Sequence, residues 1–247
     1  METGRCLNDH HTLICYILRR FILLSIFPSL PINGPKIAMI PKVAVLLASF
    51  NGERFIADQL ATVRHQAQVD VRIFVRDDGS HDNTAAVLSE QPDVTLCGMG
   101  TAPTGSAARN FLEMLATLDF GDAEYVALAD QDDLWLPNKL QRGVGCLESS
   151  GTGGYSCNLS AFDNDGRKAP WLLLKHGPLK PLDYLFQGAS AGCTYILTRA
   201  CADAVQQWLR SVTFPTNIGV SHDWLLYAFV RNRDLGWYCD DLALILY

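Results

Sequence analysis

The chain has 247 residues, 49% hydrophobic and 19% charged, enough to bury the core of one large domain or two small ones. Its formal net charge of −6 excludes a nucleic-acid binder that relies on a basic surface, but not a nucleotide ligand held by local charge. Its eight cysteines show neither a CxxC pair nor zinc-ribbon spacing, so reduced thiols in a cytosolic protein are expected.

Residues 1–41 stand apart. Leu13 to Leu30 is apolar but carries Arg19-Arg20 at its centre and Pro28 near its end. Two arginines at mid-bilayer cost about 2.5–3.5 kcal/mol each. The expectation is a membrane-surface helix, a disordered extension, or sequence upstream of a start at Met39. The split apolar part and the lack of a clean small-residue cleavage site argue against a signal peptide.

Residues 42–148 alternate strand and helix. Lys42–Ser49 reads as a buried strand, broken by Phe50-Asn51-Gly52, with a helix from Glu53 to Gln66. Val71–Val75 is a second strand, ending in Arg76-Asp77-Asp78-Gly79-Ser80. Asp82 or Asn83 can cap the next helix. Val94–Cys97 is a third strand, and Ser106–Leu118 a helix. The fourth strand, Tyr125–Ala129, runs into Asp130-Gln131-Asp132-Asp133, and Pro137 suits the first turn of a helix reaching Leu147. This pattern predicts an α/β fold, with a mainly parallel central sheet and helices on both faces. Both acidic clusters then fall on the carboxyl edge of the sheet, where ligands bind.

Past residue 148 the pattern changes, so the domain at 42–247 divides into halves at 42–148 and 149–247. Ser149–Gly154 reads as a linker, Tyr155–Phe162 as a strand and Asp163–Gly166 as a turn. Leu182–Phe186 reads as a short helix, Gly192–Thr198 as a strand and Arg199–Leu209 as a helix. A loop at Phe214–Val220 precedes a helix from Ser221 through Val230, and Leu242–Tyr247 is an apolar tail.

Three carboxylates within four residues at the mouth of a core strand repel one another unless they share a cation. Asp130, Asp132 and Asp133 therefore suggest a metal and phosphate site. Mg²⁺ or Mn²⁺ suits such hard oxygen ligands and substrate phosphates. The competing reading is an acidic loop capping a helix. Asp78 can accept from a base N–H or a ribose hydroxyl, or merely close an Asx-turn. Asp223 near a helix start can act as general base toward an acceptor hydroxyl, with His222 orienting it or binding phosphate, or it can simply cap the helix. Arg109 can reach a phosphate or lie solvated on the surface.

Three stretches carry a family resemblance from about Val43 to Tyr247. VAVLLASFNGERFIADQLATVRHQ, VRIFVRDDGSHDNT and YVALADQDDLWLPNKL resemble the family 2 glycosyltransferases, nucleotide-sugar enzymes with the GT-A fold. The Asp130–Asp133 motif, GCTYILTR and His222-Asp223-Trp224 point to the rhamnosyltransferase-like branch. The resemblance implies a donor site of Ser49, Asn51, Asp78, Arg109, Asp130 and Asp132, a metal at Asp132 and Asp133, and Asp223 as catalytic base with His222 beside it. It implies an inverting transfer from a nucleotide sugar, dTDP-rhamnose for the nearest branch. The acceptor would be a saccharide or a lipid-linked glycan in cell-surface polysaccharide synthesis. A cytoplasmic place with peripheral membrane contact is expected. The Tyr-Arg-x-His type segment that usually follows the final strand is missing here. A sugar nucleotidyltransferase, or a degenerate nucleotide-binding homologue, is the alternative. Ser49–Glu53 lacks the Gly-rich loop that the nucleotidyltransferase would need.

Overall fold

The computed structural model describes residues 39–162, 170–175, 177–213 and 219–247. The extension expected over 1–41 lies outside them except for its last residues, as do the Asp163–Gly166 turn and most of the Phe214–Val220 loop. The fold is the unit Ile40–Tyr247.

Strand β1 (Lys42–Ser49) is its axis. Val43, Val45 and Leu47 point to one face of the sheet, Ala44, Leu46 and Ala48 to the other, and all six are buried. A strand apolar on both faces belongs in the middle of a covered parallel sheet. β1 pairs in parallel with β2 (Asp70–Asp77) and β4 (Tyr125–Asp130), and β2 with β3 (Val94–Leu96). The register sets Ser49 opposite Asp77 and Ala48 opposite Asp130, so both acidic motifs leave the sheet at one edge.

One face is covered by α1 (Ile56–Arg64), α2 (Thr84–Ser89) and α4 (Lys139–Ser150), through Ile56, Leu60, Leu88, Leu140 and Val144. The other is covered by α3 (Ala107–Thr117), α5 (Arg199–Ser211) and α6 (His222–Asn232), through Phe111, Leu115, Val205, Leu226 and Val230. Helices on both faces match the reading of the sequence.

Beyond β4 the sheet is mixed, in the order β3-β2-β1-β4-β8-β6-β9-β5, with nine strands in all. β8 (Ile196–Thr198) runs antiparallel to β4 and to β6 (Gly154–Ala161). β7 (Trp171–Leu173) pairs with β6, and β9 (Trp237–Leu246) lies parallel to β6 and antiparallel to β5 (Leu134–Trp135). One sheet therefore runs through both halves of the sequence.

The linker expected at Ser149–Gly154 is a helix end and a strand start. Gly151 closes α4 in the left-handed region (φ 68°), its N–H donating to Leu147 O. A Cβ on Gly154 would run into the Trp237 ring. Gly192–Thr194, expected within a strand, is a 3-10 turn, so the strand shrinks to β8.

Candidate active site

A cavity of about 390 Å³ opens at the carboxyl ends of β1, β2 and β4. Ser49, Asp78, Asn110, Asp130, Gln131 and Asp132 are among its walls.

Asp78 is buried, and its Oδ1 accepts from Thr104 N (2.6 Å), Thr104 Oγ1 (2.8 Å) and Arg76 Nη1 (3.1 Å). Its Oδ2 accepts from Gly105 N (2.8 Å). Burial pushes its pKa up, but the donors from Thr104, Gly105 and Arg76 outweigh this and hold it below the usual carboxylate value. Buried Arg76 also donates to Asn110 Oδ1 (3.0 Å), and Asn110 Nδ2 returns a bond to Arg76 O (3.0 Å). Arg76 and Asn110 thus tie the end of β2 to the first turns of α3.

The loops after β1 and β2 interlock. Asn51, in the left-handed region (φ 49°), accepts from His81 N through Oδ1 (2.8 Å), and its own N–H donates to Ser80 Oγ (2.8 Å). Ser49 Oγ donates to Gln131 Oε1 (3.1 Å). Asn51 and Arg109 are not among the cavity walls. Asn51 shapes the loop beside it, and the Arg109 backbone N–H bonds the Ser106 cap of α3 (3.2 Å).

The three acids part company. Asp132 is exposed and Asp130 half-buried, and both line the cavity. Asp133 is 1% exposed and turns under it, its Oδ2 without a partner among the described residues. Ligand atoms of Asp130, Asp133 and Cys193 lie within 4.8 Å of one another. Burial, then repulsion from Asp132 and from Asp223, raises Asp130 to about 6. Burial, then the Asp130 charge, raises Asp133 well above the carboxylate range. Below them Lys139 is fully buried, its Nζ 3.5 Å from the Trp135 ring centroid, and burial lowers it to about 8. Carboxylates held this close, with an orphaned buried oxygen, fit a hard divalent cation. Burial, then the Asp133 charge, raises the Cys193 thiol well above its usual value and keeps it protonated, so the carboxylates are the fitting ligands.

Asp223 opens α6 and faces the cluster closely enough for its charge to raise Asp130. Its Oδ1 accepts from Trp224 N (2.7 Å). His222 is buried and stacks on Phe111, with ring centroids 4.3 Å apart, and burial lowers it to about 4. A Cβ on Gly192 would run into its Nε2, so the ring is packed closely between α3 and the 3-10 turn.

The structure thus brings Ser49, Asp78, Asp130 and Asp132 to one cavity, with Asp223 beside Asp130. Gln131, Asn110, Cys193 and Lys139 complete the surroundings. Gln131 sits inside the acidic motif and Cys193 inside GCTYILTR, whereas nothing in the sequence marks Lys139.

These features define a GT-A nucleotide-sugar transferase fold. Solved structures with this fold include two of note. One is TarS from S. aureus in complex with UDP, with TM-score 0.61 and 17% identity over 83% of this chain and 60% of that one. The other is the mannosyltransferase PcManGT from Pyrobaculum calidifontis in complex with GDP-Man and Mn²⁺, with TM-score 0.58 and 18% identity over 96% and 64%. Residues 44–203 match the family described as Glycosyl transferase family 2, and the chain belongs to that family. It is 31% identical over 205 residues to the dTDP-rhamnosyl transferase RfbG of Shigella flexneri, covering 81% of this chain and 70% of that protein. It is 28% identical over 107 residues to the Escherichia coli glucosyltransferase WfgD, which acts on α-D-GlcNAc-diphosphoundecaprenol, and spans 40% of its length. Among the described residues no helix is long and apolar enough to cross a membrane.

Proposed function

We propose that the chain is an inverting glycosyltransferase of cell-surface polysaccharide synthesis. It moves rhamnose from dTDP-rhamnose to a hydroxyl of a saccharide or lipid-linked glycan. The likeness to RfbG supports the donor, and the acceptor of WfgD supports a lipid-linked glycan. The observation that carries the reading is that Asp78 and Asp130 line one cavity while Asp223, in the first turn of α6, lies close enough to Asp130 for its charge to raise it.

A carboxylate offers about four acceptor positions. Oδ1 of Asp78 is filled by three donors and Oδ2 takes one, so Oδ2 keeps a position for a base N–H of the nucleotide. Asp130 and Asp132 face the ribose and the diphosphate. Mg²⁺ or Mn²⁺ would be held by Asp132, with Asp130 and Asp133 flanking it. When bound, it would supply positive charge against the leaving diphosphate. Asp223 takes the acceptor hydroxyl proton on Oδ2, its Oδ1 being held by Trp224 N. The acceptor oxygen bonds to the anomeric carbon as the bond from that carbon to the diphosphate breaks. His222 packs against Phe111 behind Asp223 and keeps the base end of α6 in place.

Release of nucleoside diphosphate from dTDP-rhamnose, with and without acceptor, tests this reading. Asp223→Asn should bind donor as the native chain does and lose transfer. Unchanged transfer in that variant would remove Asp223 from the role.

A further inference from the structure

Among the described residues twelve large hydrophobic side chains are exposed, and seven of them lie between Trp171 and Phe186. Leu174 is 69% exposed and Phe186 80%. Soluble surfaces carry scattered apolar residues, but a concentration in one segment marks an interaction site. The exposed charges among them are Lys175 and Lys180, both positive, in a chain of net charge −6. The acid of the segment, Asp183, is turned inward. It accepts from Tyr227 Oη (3.0 Å) and Arg231 Nη1 (3.0 Å) of α6, and from Lys180 N (2.9 Å). Trp224 Nε1 donates to Tyr184 O (2.8 Å). The turn is therefore fastened to the helix that begins at His222-Asp223, while Leu185 and Phe186 face outward.

We infer that residues 171–175 and 177–186 form a membrane-docking surface that inserts its apolar side chains into an anionic bilayer. Aromatic and aliphatic side chains with flanking lysines are the chemistry of that interface. The fastening of the turn to α6 places Asp223 beside a docked leaflet. Use of this surface for a lipid-linked acceptor rests on the proposed function, whereas the docking itself does not.

Flotation of the full chain with phosphatidylcholine vesicles, with and without phosphatidylglycerol, tests it. Binding is expected on the anionic vesicles, weakened about fivefold by each of K175E and K180E and abolished by L185S/F186S at unchanged circular dichroism. Brominated lipid should quench indole emission, and W171F should lose part of that quenching. Binding that survives L185S/F186S, as it would if the apolar Leu13–Leu30 stretch did the docking, overturns the inference. So does no binding at all, or a dimer abolished by L185S/F186S without vesicle binding. D223N should bind vesicles like the native chain, so docking and glycosyl transfer fail separately.

Discussion

The side-chain amide of Gln131 pairs with both backbone groups of Phe50: its Oε1 accepts from Phe50 N and its Nε2 donates to Phe50 O, each at 2.9 Å. The acid turn after β4 is thereby stitched to the loop after β1, with Gly52 directly beneath the carboxamide. A carboxylate cannot donate, so Gln131→Glu leaves Phe50 O without its partner, at a cost of about 1 kcal/mol. The expected result is a several-fold rise in donor KM with little change in melting temperature. Gly52→Ala pushes the same carboxamide aside. Its effect on donor KM should be sub-additive with Gln131→Ala in a double-mutant cycle, and full additivity would separate the two residues.

Asp130 and Asp133 weaken the metal-free fold at neutral pH, because the fold penalises their charge. For Asp130, raised from 3.8 to about 6, the penalty is present above the folded value and disappears as pH falls toward 4. Asp130→Asn should raise metal-free stability at pH 7.5 by about 1–3 kcal/mol. It should also reduce the stabilisation gained from added Mn²⁺. Thermal melts with chelator and with Mn²⁺ read both effects, and a fall in metal-free stability would contradict the assignment.

His222 has the opposite sign. Its folded pKa, about 4, lies below the ordinary 6.5, so the unfolded chain binds the extra proton. Stability is lost as pH falls through that window, by up to about 3 kcal/mol. In the native chain the His222 loss is offset by the Asp130 gain. His222→Asn should remove the loss on the acid side, while Asp130→Asn should expose it. Denaturant midpoints at pH 7 and pH 5 distinguish them. Gly192→Ala should overpack the ring against Phe111 and cost about 1–3 kcal/mol at either pH.

Asp78 holds two backbone N–H groups of the loop before α3, and Asn cannot accept as strongly or carry the charge that Arg76 faces. Asp78→Asn should destabilise by about 2–4 kcal/mol and abolish detectable nucleoside diphosphate binding in calorimetry. Native-like affinity in this variant would exclude Asp78 from the nucleotide contact.

The parallel half of the fold was legible because β1 and β4 are apolar on both faces and its strands end in punctuation such as Phe50-Asn51-Gly52. The mixed half was less so. β5 is two residues long and exists only through its pairing with β9, which no local pattern announces. Gly192–Thr194 looked like strand because it is apolar, but there burial serves a turn that seats His222. In the site, the acids were visible as a cluster. Their division was not, because whether a side chain lines the cavity or turns beneath it depends on the turn geometry between β4 and β5. Asp133, expected with Asp132 at the metal, is buried beneath the cavity, where its ligand atom lies within 4.8 Å of those of Asp130 and Cys193.

The place of β9 also sets an order of assembly. It lies between β6 and β5, with Leu136 N bonded to Leu244 O (3.0 Å). The four parallel strands are complete by Asp130, so they can pair while the chain is still leaving the ribosome. The turn at Asp133 to Trp135 finds its partner strand only after Ile245 and Leu246 emerge. Contacts so distant in sequence form slowly. The sheet edge that carries Asp78 is thus built from contacts nearer in sequence than the β5–β9 pairing that follows Asp133.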